Sequence, residues 1–586
     1  MSPAADGGAT VPTTTYGYSP DNALPTTTTA SGITLTTGYD TWGQVTSQTD
    51  VDGNTATTYD IDGQPATAND GKGSYTYTYD GATEHRGLIT SLTVGAGSAP
   101  STFTATYNGD ATLATETYPN GLVATRQYDN TASPTALTYA KSGTTWLGYS
   151  EIDNINGQGR IVGTPNQGIE YLYDTSGRLT LARDVRASGS TQTCTSRRYV
   201  YDADSNRTQE VSYPDAGTNS PGATCSTSTT PTYTLTHSYD QADRQTDTGY
   251  AYDKFGRTTT VPAADIGGTA LTLDYAADDM VASETQGSTT RSYALDPARR
   301  IRSWTQGSTT STNHYTDSAG DSPAWIATGA AWTRNIHGIG TDLAATQDNT
   351  GTVTLHLADI HGDIVATVPD TTAATSTSSF QETNEFGKPY DPATAYPRYG
   401  WLGAKERSHD TLSGVILMGA RLYNPTTGRF LQTDPVPGGS DNPYDYAHQD
   451  PYNGLDLDGR FALVAGLVGF AAADAWNPLG WAAVVVIGGY LTYKIGKSYH
   501  RRRGAVISRV GWTKHGLEQA ERYGISDDMV EQAMRSRARP GNSAGTKKYV
   551  GGNIWVVVNE NGEVISTGRN EGSAGRGANT RRRGRR

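Results

Sequence analysis

GYDTWGQVTSQTD (residues 38–50), TYDIDGQPATAND (58–70), LYDTSGRLTLARD (172–184) and AYDKFGRTTTVP (251–262) are variations on one unit. Each carries Tyr-Asp, has a glycine three residues after the aspartate, and continues in an alternating, β-rich segment. That order reads as a strand, an Asp-initiated turn closed by glycine, and a returning strand. The Tyr-Asp pair recurs at Tyr39, Tyr59, Tyr79, Tyr128, Tyr173, Tyr201, Tyr239 and Tyr252, the first three spaced by 20 residues. A fixed period of this size indicates a repeat architecture. For these residues a structural role is expected, with tyrosine packing between layers and aspartate capping a turn. No catalysis is assigned to them.

Working outward, 586 residues allow about four globular domains, or fewer if part of the chain is a repeat array. With 68 glycines, 26 prolines and 36 tyrosines against 10 tryptophans and 7 phenylalanines, short strands and tight turns dominate. The two cysteines, Cys194 and Cys225, exclude a disulfide scaffold and a Cys-rich zinc module, and leave a single bridge open. The opening MSPAADGGATVPTTT lacks the basic start and apolar run of a secretory signal, so export calls for another route or an upstream segment. The net charge of -13 hides a division: residues 461–586 carry net +11 and residues 1–460 net -24. Such asymmetry suggests two parts with different partners, the basic one a candidate for nucleic acid.

Over about residues 30–320 the units resemble the YD-repeat, or RHS, family, whose members coil a long β-sheet into a hollow shell. From about Leu355 the text changes. LHLADIHGDIVATV, NEFGKPYD and then RYGWLGAKERSHDTLSGVILMGARLYNPTTGRFLQTDPVPGGSDNPYDYAHQDPYNGLDLDG resemble the RHS core, especially its actinobacterial form. The resemblance implies a plug that closes the shell and acts as an aspartyl self-protease on the downstream segment. It places the catalytic pair at Asp434, in the Asp-Pro after GRF, and at Asp456, which opens DLDGR. Two carboxylates brought together cannot both ionise, so one serves as acid while the other activates water. Leu457 and Arg460 depart from the family's proline and leucine, and cutting is expected between Arg460 and Phe461. Asp458 is an alternative partner, and turn capping alone is the bland reading of both aspartates. His356, His361 and His409 are expected to be structural or exposed polar residues, with no metal spacing.

Residues 461–473 and 478–493 form two apolar stretches broken by Asp474-Ala-Trp-Asn477, each short of the roughly 20 residues of a full membrane span. A membrane-inserting hairpin, a sequestered hairpin and one long span compete here. Beyond them, residues 505–570 read as ααβββ. One helix covers Lys514–Tyr523, and a second, about Ser526–Arg537, faces inward with Met529, Val530, Ala533 and Met534. A break follows at Pro540-Gly541-Asn542, then strands at 546–550, 553–559 and 563–568 with a hairpin turn at Asn561-Gly562. HGLEQAERYGISDDMVEQAM and KKYVGGNIWVVVNENGEVISTGRN resemble small RelE, barnase and colicin D-type toxin domains. Metal-independent RNA cleavage needs a base for the 2′-hydroxyl, an acid for the leaving oxygen and cations for the phosphorane. His515, the only histidine after His500, leads as acid/base. Lys548, Arg569 and Arg522 are the phosphate-holding candidates, and Thr567 offers a hydroxyl. Lys547 and the tail residues Arg581, Arg582 and Arg583 supply salt-sensitive RNA attraction. The bland reading is a helix-capping histidine among solvated cations.

The expected architecture is mainly β. A repeat shell (1–330) and an RHS core (331–460) precede a hydrophobic helical bridge (461–497) and a basic α+β toxin domain (498–586). The resemblance implies a secreted or cell-surface polymorphic toxin of interbacterial competition, whose ribonuclease domain reaches the target-cell cytoplasm. Its partners would be RNA, a cognate immunity protein, and a secretion apparatus or upstream carrier, with target-membrane contact through 461–497. No cofactor or metal is expected. The rivals are a noncatalytic cell-surface or adhesion protein, and a pore former acting through 461–497.

Overall fold

The computed structural model describes residues 12–460 apart from 52, 96–99, 154–156, 163–165, 189–190, 216–224, 226–229, 317–319, 391–396 and 437–439. It also describes 463–464, 530, 533–534, 536, 539–540, 546–551, 554–558 and 564–569. Two compact units result, Met1–Ala482 and Ala483–Arg586.

In the first unit, strands from Thr15–Tyr18 to Tyr233–Thr236 form a 19-stranded sheet, and strands from Ala251–Tyr252 to Ser379–Phe380 a 13-stranded one. Each strand pairs antiparallel with the next along the chain, as Asn54–Tyr59 does with Pro65–Asn69 and that strand with Ser74–Tyr79. The alternation sets the faces: in Ser74–Tyr79, Tyr75 and Tyr77 are buried while Ser74, Thr76 and Thr78 are exposed.

The turns repeat one geometry. Asp40 Oδ1 accepts the N–H groups of Trp42 and Gln44 at 2.8 and 2.9 Å, and Gly43, at φ 83°, donates to the Asp40 carbonyl. Glycine is needed there because positive φ costs a side-chain-bearing residue energy. Asp60, Asp174, Asp202, Asp240 and Asp253 cap their turns in the same way. The tyrosine before the aspartate reaches back to the strand that opened the preceding hairpin. The hydroxyls of Tyr39, Tyr59, Tyr79, Tyr128 and Tyr201 donate to the carbonyls of Pro25, Val45, Pro65, Leu113 and Leu179 at 2.7–3.0 Å. The residue closing the turn reaches forward: Gln44 and Gln64 bond the Gly63 and Gly87 carbonyls, and Arg178 and Arg257 those of Asp202 and Ala276. Tyrosine therefore staples each unit to the one before and Gln/Arg to the one after, which is the physical content of the repeat.

Hairpins of this kind run through residue 330, with Trp325–Thr328 pairing with Ala331–His337 and onward to residue 380. The second sheet thus runs on to Ser379–Phe380. The segment after it packs inside, with Trp401, Leu402, Ile416, Met418, Tyr423, Phe430 and Tyr446 as a buried cluster. Val415, Leu422 and Leu431 join it to the second sheet, and Phe386 and Tyr452 to the first. Cys194 and Cys225 are bridged, closing a loop worth about 3–4 kcal/mol in chain entropy. His361 is buried, and His356 and His409 are half-buried. His356 meets the Thr346 hydroxyl and His361 pairs with Asp363, while burial pushes His356 and His409 down to about 4.

In the second unit, Arg539–Pro540, Lys547–Gly551, Ile554–Val558 and Val564–Arg569 form a four-stranded antiparallel sheet. Ile554, Val556, Val558 and Val564 bury against helical Val530 and Ala533, with Met534 half-buried. Of the expected second helix, Val530, Ala533 and Met534 are the described positions. Arg539–Pro540 pairs with Lys547–Lys548, and Gly541 and Asn542 of the expected break lie outside the described residues. Met529, the first helix and Asn561-Gly562 lie outside the described residues. Among the described residues no helix is long and apolar enough to cross a membrane. Of 461–497 only Leu463–Val464 is described, so the readings of that bridge fall elsewhere.

Candidate functional site

The site grows from a three-stranded sheet, Ile416–Met418, Arg421–Asn424 and Arg429–Phe430. Gly419, at φ 58°, lets this hairpin turn against the chain at Asp458; a Cβ there would lie 2.3 Å from the Asp458 carbonyl oxygen. Ala420 N–H donates to that same oxygen, which fixes the segment leading to Arg460 beside the hairpin.

Asp434 and Asp456, 22 residues apart, converge on one cation. Arg421 Nη2 lies 3.2 Å from Asp434 Oδ2 and 2.8 Å from Asp456 Oδ2, and all three side chains are at least 95 % buried. The rest of the guanidinium is held by the Gly459 carbonyl at 2.5 Å and the Pro443 carbonyl at 3.4 Å, with the Phe430 ring beneath it. Burial pushes the Arg421 guanidinium below its ordinary value, and Asp456 and Asp434 pull it back up. Each aspartate divides its labour. Asp434 Oδ1 caps the turn at Val436 N–H, and Oδ2 also accepts the Ser440 hydroxyl at 2.9 Å. Asp456 Oδ1 accepts the Arg460 N–H at 2.9 Å. Turn capping and the buried cluster therefore coexist in the same two side chains. Of the two candidate partners, Asp456 meets Arg421; Asp458 is exposed and accepts the Arg460 N–H at 3.1 Å.

Of the two residues flanking the expected cut, Arg460 is described. Gly454–Leu455 pairs with Leu463–Val464, so the chain turns back between Asp456 and the far strand. Arg460 is exposed, with its backbone N–H anchored on a catalytic candidate; Phe461 lies outside the described residues. Arg421 was not singled out from sequence. Its signal is the Gly-Ala-Arg that opens the strand before GRF, which reads equally as an ordinary strand residue.

In the second unit, the register sets Arg539, Lys548, Val557 and Ser566 in one row, and Lys548 Nζ stands 4.8 Å over the Trp555 ring. Arg539 is exposed, and like charges directly opposite each other on paired strands cost stability. A pair of cations beside an indole is a surface suited to phosphate and a stacked base. Arg539 was not singled out from sequence, since it falls between the expected end of the second helix at Arg537 and the break at Pro540. Thr567 lies in the other row, opposite Val556 on the helix-covered face, buried, with its hydroxyl donated to the Trp555 carbonyl at 2.7 Å. The structure thus separates Thr567 from Lys548. Lys547 is exposed, and Arg569 ends the last strand in register with Ile554. His515, Arg522, Arg581, Arg582 and Arg583 lie outside the described residues.

In the first unit these geometries define two large antiparallel β-sheets packed against a segment that carries a buried carboxylate–arginine cluster. No protein-family model matches the chain. Residues of the chain align at 29 % identity over 229 positions with "tRNA nuclease WapA" of Bacillus subtilis strain 168, covering 35 % of this chain and 10 % of that protein. A second relative, "tRNA(Glu)-specific nuclease WapA" of Bacillus subtilis subsp. natto, is 31 % identical over 159 residues, 23 % of this chain and 6 % of its own length. The fold matches the crystal structure of TcdB2-TccC3 with a TM-score of 0.54 at 14 % identity, covering 77 % of this chain and 26 % of that one. The chain thus spans a tenth or less of these curated relatives and about a quarter of the solved chain.

Proposed function

We propose that this chain belongs to a secreted RHS-type toxin of interbacterial competition. The β-shell carries a C-terminal ribonuclease, and self-proteolysis between Arg460 and Phe461 releases it. The observation that carries the reading is the single buried guanidinium shared by Asp434 and Asp456, with the Arg460 N–H held on Asp456. One cation between two buried carboxylates leaves one surplus negative charge, and a single proton neutralises it. The carboxyl holding that proton protonates the leaving nitrogen while the other activates water for attack on the Arg460 carbonyl. Arg421 keeps both oxygens facing one point and stabilises the ionised partner.

For the released domain, His515 acts as acid/base. Lys548, Arg569 and Arg522, with Arg539 added, hold the phosphate. Trp555 offers a stacking face, and Lys547 and Arg581–Arg583 attract RNA. Thr567 positions the last strand through the Trp555 carbonyl rather than touching RNA. The names of the relatives favour tRNA as substrate. A producer then needs an immunity protein against the basic surface, and a secretion apparatus or upstream carrier to deliver it. Membrane contact through 461–497 belongs to delivery.

Expression of the full chain tests both halves. Processing yields a fragment whose N-terminal sequence begins at Phe461, and Asp456→Asn leaves one intact band. In a heterologous bacterium the wild type fragments tRNA and His515→Ala does not. Intact tRNA in arrested cells overturns the ribonuclease reading, and cleavage that survives Asp456→Asn overturns the protease reading.

A further inference from the structure

Asp441, Asp445 and His448 bring one carboxylate oxygen each and one imidazole nitrogen within 4.8 Å of one another. Their spacing of four and three residues spans a tight turn, Ala447–Gln449, in which His448 takes a left-handed φ of 57°. His448 Nδ1 lies 3.2 Å from Asp441 Oδ1. That ion pair, with an Asx turn at Asn442, accounts for two of the three side chains. It does not account for Asp445, which is completely buried. Asp445 Oδ1 takes the Asn442 N–H at 3.3 Å, while Oδ2 has no hydrogen-bond partner among the described residues. The neighbouring guanidinium of Arg429 is spent on Asn206 Oδ1 at 2.7 Å and the Asp243 carbonyl at 2.5 Å. A buried carboxylate oxygen left bare is costly, and a cation at the centre of the trio supplies what it lacks.

We propose that Asp441, Asp445 and His448 bind one divalent transition cation, of which zinc is the best match. Two carboxylates and an imidazole suit Zn²⁺ or Mn²⁺, whereas Ca²⁺ takes six to eight oxygens, more than this trio provides. Ligand atoms about 2.0–2.2 Å from a shared metal lie within the spread seen here. In the other His/Asp group, His237 with Asp247 and Asp265, both carboxylates already have partners, and the bare atom among the described residues is His237 Nε2 rather than a carboxylate oxygen. His237 Nδ1 meets Asp247 Oδ2 at 2.7 Å, and Asp265 Oδ2 takes the Tyr250 hydroxyl at 2.7 Å. The metal's role is structural. Asp434 N–H donates to the Pro443 carbonyl and Ser440 donates to Asp434 Oδ2, so pinning Asp441–His448 pins the loop that presents Asp434. Binding itself does not depend on the self-cleavage reading.

Zn²⁺ titrated calorimetrically into the chelator-treated full chain tests this. One equivalent is expected in the wild type and in His237→Gln, with affinity falling at least about 100-fold in Asp445→Asn and in His448→Gln. His448 is partly exposed, so His448→Gln decides the matter if circular dichroism shows Asp445→Asn unfolded. Mn²⁺ run in parallel shows whether the site prefers zinc. Absence of a stoichiometric Zn²⁺ or Mn²⁺ site in the wild type, or binding undiminished in His448→Gln, overturns the proposal.

Discussion

Aspartate does the same turn-capping in the repeat sheet and in the core, but its second oxygen has a different fate in each. In the repeats, Asp174 Oδ2 is met by Arg178 of its own turn, as Asp253 is by Arg257 and Asp296 by Arg300. Each of these pairs is local, the partners four residues apart, although Arg257 also meets Asp279 at 3.1 Å. In the core, Asp434 and Asp456 share Arg421, which stands 13 residues before one and 35 before the other. There two buried carboxylates from distant parts of the chain meet one buried cation. The two regions differ in how far along the chain the partners lie, not in residue type.

The most direct way to break the comparison is to neutralise one aspartate in each region. Asp434→Asn or Asp456→Asn should slow processing at least about 1000-fold, the loss of an acid or base. Asp40→Asn, in a repeat turn, should leave the band pattern on a denaturing gel unchanged.

Histidines buried in the two regions should behave alike. His356, in the sheet strand Val353–Ala358, and His409, in the core, are both held near 4 by burial, below the ordinary 6.5. Between those values the unfolded chain binds more protons, so stability is full above pH 6.5 and is lost as pH falls toward 4. The loss is about 3 kcal/mol per histidine. His356→Gln and His409→Gln should each flatten the acid limb of a denaturant-midpoint-against-pH profile by a similar amount.

Smaller effects probe the repeat's local economy. Asp174→Ala, which removes a cap and its Arg178 partner, should cost about 1 kcal/mol in chemical denaturation. Tyr128→Phe, which deletes only the hydroxyl reaching the Leu113 carbonyl, should cost about 0.5–1 kcal/mol. If Tyr128→Phe proves the costlier, the staple between units outweighs the turn in holding the sheet.

Much of this was legible in the sequence because it is local. Tyr, Asp and Gly at fixed offsets encode a turn whose bonds span two to four residues, and the alternation of tyrosine and threonine encodes which face is buried. Val530 and Ala533 were readable as the inward face of a helix for the same reason, through helical periodicity. Asp434 and Asp456 were found through family resemblance, since as residues before Pro and Leu they read as turn formers.

What only the tertiary structure decided involves residues far apart in the chain or in register across strands. Arg421 entered the site because folding brings a strand residue under two loops, and no spacing rule marks a strand arginine as the one that will be buried. Arg539 became half of a cation pair because Pro540 closes an edge strand, where a missing N–H is tolerated. Thr567 and Lys548 were parted by sheet register, which assigns successive side chains to opposite faces. The sequence by itself determined the turns, the strand alternation and the division of charge. The pairing of Asp434 with Asp456 across Arg421 was decided by the fold, because only packing can set how many carboxylates one buried cation must serve.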